Sequence, residues 1–350
     1  MTELKTRLIA KTRELGFADC RIAPARPAAH REVFEQWVAE GKYGDMAWMA
    51  RNLDRRTDPR VVQPGARCVI VLAMNYFQGP APATAAGGYR IARYAWNEDY
   101  HDLVEKKLRE LDAFLIGHGG AQRYYVDTGP VMERDFASEA GLGWGGKSTM
   151  QIHRGLGTWF FLAELISTLD LPLDTPAKDL CGKCTRCMDV CPTQAITAPR
   201  RMDARRCVSY LTIESKGAIP LEFRRAMGDR IYGCDDCLTA CPWNKFAQLS
   251  SEATFQAREQ VFEKTLREFL DLTDDEFRRL FAKSPIKRIK RPAFLRNVCV
   301  ALGNVGTMAD LPALEKAVQD EHPLIGEHAL WAVEEIRARH GGTAREFRIA

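Results

Sequence analysis

At 350 residues, with 46% hydrophobic and 27% charged side chains, the chain has an ordinary globular composition and is too long for one typical core, so two or three domains are expected. A net charge of +4 is too small to mark a nucleic-acid binder by itself, so any such partner must be argued from local basic clusters. No run of about 18 uninterrupted apolar residues argues for a membrane span, and "MTELKTRLIAKTRELGF" has no apolar export-signal core, so a cytoplasmic protein with reduced thiols is expected.

Taken in chain order, "ELKTRLIAKTRELGF" sets Leu4, Leu8, Ile9 and Leu15 on one helical face. "CVIVLAMNY" (68–76) is a continuous apolar run that predicts a buried strand. "YHDLVEKKLRELDAFLIGHG" returns to helical spacing through Leu103, Leu108, Leu111 and Leu115 and stops at glycines. "RYYVDTGP" predicts a short strand ending in a turn, "VMERDFASEAG" a helix stopping at Gly141, and "TWFFLAELI" (158–166) a central strand. This alternation predicts a layered α/β domain over residues 1–170. "LDLPLDTPAKDL" (169–180) is a proline-punctuated linker into a cysteine-rich module, 171–245.

Residues 246–350 are expected to be helical. Thr273 and Glu276 form a capping box, and "RNVCVALGNVG" overlays "EHALWAVEEIR" at an offset of 31 residues, Ala301 on Ala332 and Val305 on Ile336. With "LPALEKAVQD" between them this predicts a HEAT-like helical repeat, which commonly offers a docking surface. The fold class is therefore a multi-domain mixture of α/β and α+β parts.

The cysteines carry the strongest signal. Clustered thiols in a reduced compartment point to metal rather than disulfides. Cys181, Cys184, Cys187 and Cys191-Pro192 reproduce the bacterial ferredoxin run C-x2-C-x2-C-x3-C-P, in which the fourth cysteine binds the other cluster. A second run follows at Cys234, Cys237 and Cys241-Pro242, and Cys207 completes the set. The two sites close as Cys181, Cys184, Cys187, Cys241 and as Cys191, Cys207, Cys234, Cys237, eight soft thiolates for two [4Fe–4S] clusters. Two structural zincs are the competing reading. Cys20, Cys68 and Cys299 lie singly in apolar surroundings and read as buried free thiols.

"GLGWGGKS" (141–148) matches the phosphate-cradling G-x4-G-K-[ST] literally, but that loop needs a strand before it and a helix after it. Here a helix precedes it, so nucleotide binding is rejected. Its small residues still let backbone approach a large flat cofactor.

With "RYAWNEDYHDLVEKKL", "VDTGP", "AGLGWGGKS", "CGKCTRCMDVCPTQAI", "RRCVSYLTIESKG" and "YGCDDCLTACPWN" in order from Ile91 to Asn244, the chain resembles the epoxyqueuosine reductase family, cobalamin- and iron–sulfur-dependent enzymes of the last step of queuosine synthesis in tRNA. The likeness extends over almost the whole chain. It implies a corrinoid domain, a two-cluster ferredoxin module and a HEAT-like tail. It also implies base-off cobalamin, so the near-match of "DYHDLV" to D-x-H-x-x-G, with Val104 in place of glycine, reads as a helix start at Asp99. The resemblance makes Asp127 the catalytic acid, where the residues alone suggest an Asx-type turn. It places Arg56, Arg134, Asp235 and Asp236 around the corrin, and Lys216 near the tRNA with one residue inserted just before it.

The implied reaction removes the epoxide oxygen at the wobble nucleoside of a tRNA anticodon stem-loop, with electrons passed singly from an external donor through the clusters to cobalt. Asp127 protonates the oxygen, which requires a carboxyl pKa raised by burial. A cytosolic reductive-dehalogenase-like enzyme acting on a small molecule and a non-catalytic two-cluster electron carrier are the alternatives. A monomer is expected. The basic run "KSPIKRIKRP", with Lys287, Arg288 and Lys290, is expected to grip RNA backbone against the alternative of a solvated loop.

Overall fold

The computed structural model describes residues 1–80, 82 and 88–341. Its strands are β1 (Asp19–Pro24), β2 (Cys68–Asn75), β3 (Arg90–Ile91), β4 (Gln122–Tyr125), β5 (Trp144–Gly145), β6 (Gln151–Ile152), β7 (Phe160–Ser167), β8 (Ile196–Ala198), β9 (Arg201–Met202) and β10 (Arg230–Tyr232). The main sheet runs β1-β2-β7-β4, and every neighbouring pair is antiparallel. The mixed α and β content is as expected, but the alternation builds an antiparallel main sheet, and parallel pairing occurs instead between β3 and β10.

The apolar runs in β2 and β7 are continuous because both faces of the sheet are covered. Cys68, Ile70, Leu72 and Met74 face a cluster built with Leu4 and Leu8 of the helix Thr2–Glu14 and Val104, Leu108, Leu111 and Leu115 of the helix Tyr100–Ile116. Val69, Val71 and Ala73 face the other way, against Phe136, Ala137 and Ala140 from the helix Glu133–Glu139 and the residue that ends it. β1, which has no strong apolar pattern, forms the edge.

The proline-punctuated segment 170–180 carries no regular structure, yet it is tied down. Asp174 accepts from the Ile22 amide at 2.9 Å and from Lys5 Nζ at 2.8 Å. The glycine loop 141–148 leads from the helix Glu133–Glu139 into the β5–β6 hairpin, so no helix follows it. Lys147 Nζ instead donates to the carbonyls of Gly182 and Cys184, at 2.8 and 3.0 Å.

Residues 246–341 add no strand. Capping boxes at Thr265–Glu268 and Thr273–Glu276 start two short helices, and the longer helices Lys290–Val305, Leu311–Val318 and Pro323–Arg339 pack together. Ala301 and Ala332 are both fully buried, whereas Val305 is 45% exposed beside a buried Ile336. A Cβ at Gly303 would meet the Trp331 ring at 2.4 Å, so only glycine lets these helices approach so closely. Their core continues into Tyr89, Ile91 and Trp96 and into Val208, Leu211, Ile231 and Tyr232.

The helix Lys290–Val305 also carries a buried polar staple. Arg296 donates to the carbonyls of Leu211, Ser215 and Gly217 at 2.7–2.8 Å. Asn297 donates to those of Thr212 and Ile231. These carbonyls lie in the segment between Cys207 and Cys234.

Candidate active site and thiol groups

Asp127 follows β4 in a tight turn. Its φ of 49° lies in the left-handed region, which Asp tolerates better than most side chains. The Thr128 amide closes on the Val126 carbonyl at 2.6 Å, and a Cβ at Gly129 would fall 2.3 Å from the Tyr125 ring. The turn aims the carboxylate at the start of the helix Tyr100–Ile116. There the Tyr100 hydroxyl donates to Asp127 Oδ2, and His101 Nε2 lies 2.8 Å from Asp127 Oδ1. Asp99 caps this helix through the His101 amide at 3.1 Å and also meets His101 Nδ1 at 2.6 Å.

Burial opposes a charge on His101, but hydrogen bonds to Asp127 and Asp99 outweigh it and raise the imidazole to about 10. His101 is therefore an imidazolium at neutral pH, held between two carboxylates. Burial pushes the Tyr100 hydroxyl far upward, so it stays a donor; its ring stacks on Phe161 at 3.9 Å. The expected burial of Asp127 does not occur. Its side chain is 47% exposed, because the turn projects beyond the sheet edge. The carboxyl-end rule for parallel sheets does not apply to this antiparallel sheet either.

Arg56 and Arg134 converge electrostatically on Glu133, which lies close to Asp127 and Glu164. Arg56 is desolvated with Nε unpartnered, as are Trp144 Nε1 and Gln151 Nε2. Asp235 and Asp236 are each held by partners of their own. Asp235 accepts from the Arg93 amide at 2.6 Å, and Asp236 pairs with Arg90 at 3.1 Å and with Arg230.

All eleven cysteines are free thiols, and Cys20, Cys68 and Cys299 are buried as expected. The other eight fall into two neighbourhoods. Burial first, then Cys181, Cys187 and Cys184, raise the Cys241 thiol. Burial first, then Cys207 and Cys234, with a smaller contribution from Cys191, raise Cys237 well above the usual range. Cys241 thus lies in the field of Cys181, Cys187 and Cys184, and Cys237 in that of Cys207, Cys234 and Cys191. Thiols crowded and desolvated in this way resist ionising alone, and bound iron would supply the missing positive charge. The Ala195 amide donates to Cys191 Sγ at 3.2 Å, a hydrogen bond of the kind that tunes cluster potential.

The basic run is not an irregular loop. Pro285–Ile289 is a 3-10 turn and Lys290 opens a helix. Arg291 is turned inward onto the Leu272 carbonyl at 2.6 Å and Asp320 at 2.7 Å, so it cannot grip phosphate. Arg288 pairs with Glu214 and lies near Asp99, while Lys283, Lys287 and Lys290 are exposed. The Lys283 carbonyl accepts from the Asp99 amide at 2.8 Å, which places this run against the Asp127 site. Lys216 is exposed, with its amide on Asp45 at 3.0 Å.

Sequence reasoning passed over Tyr100, Glu133 and Glu164 and used His101 only as part of a failed motif. A lone Glu inside the apolar run "TWFFLAELI" was the available signal for Glu164.

A model of a 4Fe-4S double cluster binding domain matches residues 180–244, and one described as epoxyqueuosine reductase QueG, DUF1730 matches residues 56–128. The chain is 44% identical over 348 residues to an epoxyqueuosine reductase from Xanthomonas campestris, covering 97% of each chain. It is 40% identical to the one from Escherichia coli K12, covering 96% of this chain and 90% of the relative. A crystal structure of epoxyqueuosine reductase with a tRNA-Tyr epoxyqueuosine-modified stem loop superposes with a TM-score of 0.87 at 30% identity, covering 95% of this chain and 90% of that one. The Bacillus subtilis enzyme with its aspartate catalytic loop swung out of the active site gives 0.86 at 28% identity, covering 97% and 92%. With this identity along nearly its whole length, the chain belongs to the epoxyqueuosine reductase family of oxidoreductases.

Proposed function

We propose that the chain reduces epoxyqueuosine to queuosine at the wobble position of tRNA, with cobalamin and two [4Fe–4S] clusters as resident cofactors. The observation that carries this reading is the likeness, over 95% of the chain, to a structure that holds an epoxyqueuosine-modified stem loop. The oxygen leaves as water, so each turnover takes up two electrons and two protons.

The residues fit both cofactor types. Eight thiols in two sets of four suit two clusters, with Cys181, Cys184, Cys187 and Cys241 holding one and Cys191, Cys207, Cys234 and Cys237 the other. The unpartnered donors Arg56 Nε, Trp144 Nε1 and Gln151 Nε2 suit a cofactor rich in amide and phosphate acceptors. Arg134, Asp235 and Asp236 complete its surroundings. Cobalamin supplies the reducing cobalt chemistry when bound, and the clusters supply electrons singly from an external donor.

The chain's own task is the proton. Asp127 delivers it to the departing oxygen, His101 stores one against Asp127 Oδ1, and Asp99 fixes the imidazole ring. Tyr100 holds the other carboxylate oxygen in place. Lys216, Lys287, Arg288 and Lys290 face the anticodon arm and grip its backbone, while the splayed base enters the site.

In this reading residues 1–170 form the cobalamin-binding domain, 171–245 the two-cluster module and 246–350 a HEAT-like tail, in a cytoplasmic monomer. Among the described residues, no helix is long and apolar enough to cross a membrane. Anaerobic reconstitution with iron, sulfide and cobalamin, followed by nucleoside analysis of epoxyqueuosine-containing tRNA, tests the proposal. Queuosine is the expected product; unchanged epoxyqueuosine with all cofactors loaded overturns it.

A further inference from the structure

Behind Asp127, on the face of the sheet opposite Tyr100, two carboxyls pack together. Glu164 sits on β7 in register with Val71 of β2 and Tyr125 of β4. It is fully buried, and neither oxygen has a hydrogen-bond donor. Glu133 opens the helix that covers this face, and its Oε1 is likewise sealed and without a donor. The Glu133 carboxyl meets that of Glu164 and the backbone amide of Asp127.

The charges around the pair are unequal. Arg134, with Arg56 beyond it, offsets Glu133. A charge on Glu164 is opposed by its burial and by the fields of the Glu133 and Asp127 carboxyls. Two ionised carboxylates cannot share so dry a site without strong repulsion. One proton between them turns that repulsion into a charge-assisted O–H···O bond that engages one oxygen of each carboxyl. Burial, and after it each carboxyl's effect on the other, pushes the pair's titration well above the usual carboxylate range.

We infer that Glu133 and Glu164 share a single proton and form a store that refills Asp127 during turnover. The inference rests on the proposed reaction, which consumes two protons. His101 holds one of them against Asp127, and the glutamate pair holds the second. In the refilling step an O–H bond on the pair breaks and one on Asp127 forms, with no electron transferred. The pair is left with two negative charges, partly offset by Arg134 and Arg56, and takes a proton back from solvent before the next cycle. Glu133 and Glu164 are positioning residues, because they act through Asp127.

Infrared difference spectroscopy of the full chain at neutral pH, without substrate, reads the shared proton directly. The expected result is a protonated-carboxyl band that shifts in deuterated water, changes position in each of Glu133→Gln and Glu164→Gln, and disappears only when both are replaced. In the double Glu133→Gln, Glu164→Gln variant the pair loses its single negative charge, can still hydrogen-bond, and holds no transferable proton. Its turnover should fall at least tenfold, and the alkaline limb of its pH profile should move down by about one unit, with iron content and tRNA affinity unchanged. A wild type lacking the band, or a double variant with the wild-type pH profile, overturns the store. The band is read without substrate, so an intact band beside absent wild-type activity overturns the functional reading instead.

Discussion

His101 Nε2 lies 2.8 Å from Asp127 Oδ1, and the turn that carries Asp127 is built so that this hydrogen bond can form. The imidazolium makes the pair a charge-assisted donor and acceptor. Asp127→Asn keeps the size of the side chain but removes its capacity to carry a proton. Turnover should drop by about 10²–10⁴-fold, the usual contribution of general acid catalysis, with iron and corrin content unchanged. Near-normal turnover would return Asp127 to a turn-forming role.

The raised pKa of His101 makes a signed prediction about stability. A group that holds its proton more tightly when folded stabilises the fold fully below its unfolded pKa of 6.5 and loses that contribution as pH climbs through about 10. Denaturant melts of wild type and His101→Gln should therefore differ most at about pH 6 and converge above about pH 10. A gap that widens with rising pH would contradict the imidazolium assignment.

Metal analysis tests the thiol sets. Reconstituted protein should hold about eight iron and eight sulfide per chain. Cys207→Ser should lose one cluster and retain the other, as read by sulfide content and electron paramagnetic resonance of the reduced protein. Zinc without sulfide, or two intact clusters in the variant, would refute the assignment.

The inward turn of Arg291 redefines the basic run, leaving Lys287, Arg288 and Lys290 on the surface. Replacing these three with Ala should weaken stem-loop binding and flatten its salt dependence, by up to about 0.7 in slope for each phosphate that the variant no longer neutralises. Equal affinity and slope in a salt titration would mark the run as solvated surface.

Arg296 is fully buried and bonded to three backbone carbonyls. Arg296→Ala strips partners from buried acceptors and should cost about 1–3 kcal/mol for each carbonyl left without a donor, read in urea unfolding. Arg296→Lys cannot span the same three acceptors and should recover only part of this.

How far the sequence foretold the molecule depended on the range of the interaction. The cysteine spacings were legible because ligand geometry is written into a few consecutive residues. The Tyr100–Ile116 helix and its Asp99 cap were legible for the same reason. The antiparallel pairing of β2 with β7 was not, since apolar runs report how many faces are covered and not strand direction. The meeting of Glu133 with Glu164 depends on one helix lying over one strand, which no local pattern encodes. Arg291 sits in a charge run where composition cannot say which side chain turns inward. Asp127 entered through resemblance alone; its own neighbourhood reads as a turn.

The staple of Arg296 and Asn297 has a consequence for biosynthesis. The peptide groups that it holds lie between Cys207 and Cys234, yet the residues that hold them are made much later. On the ribosome the thiols therefore emerge well before the helix that fixes their backbone. The segment between these two thiols acquires its final hydrogen bonds only once the chain is nearly finished. A nascent chain stalled before residue 290 would present those sulfurs on a slack loop, open to oxidation or to the wrong metal. Iron loading should thus follow completion of the tail.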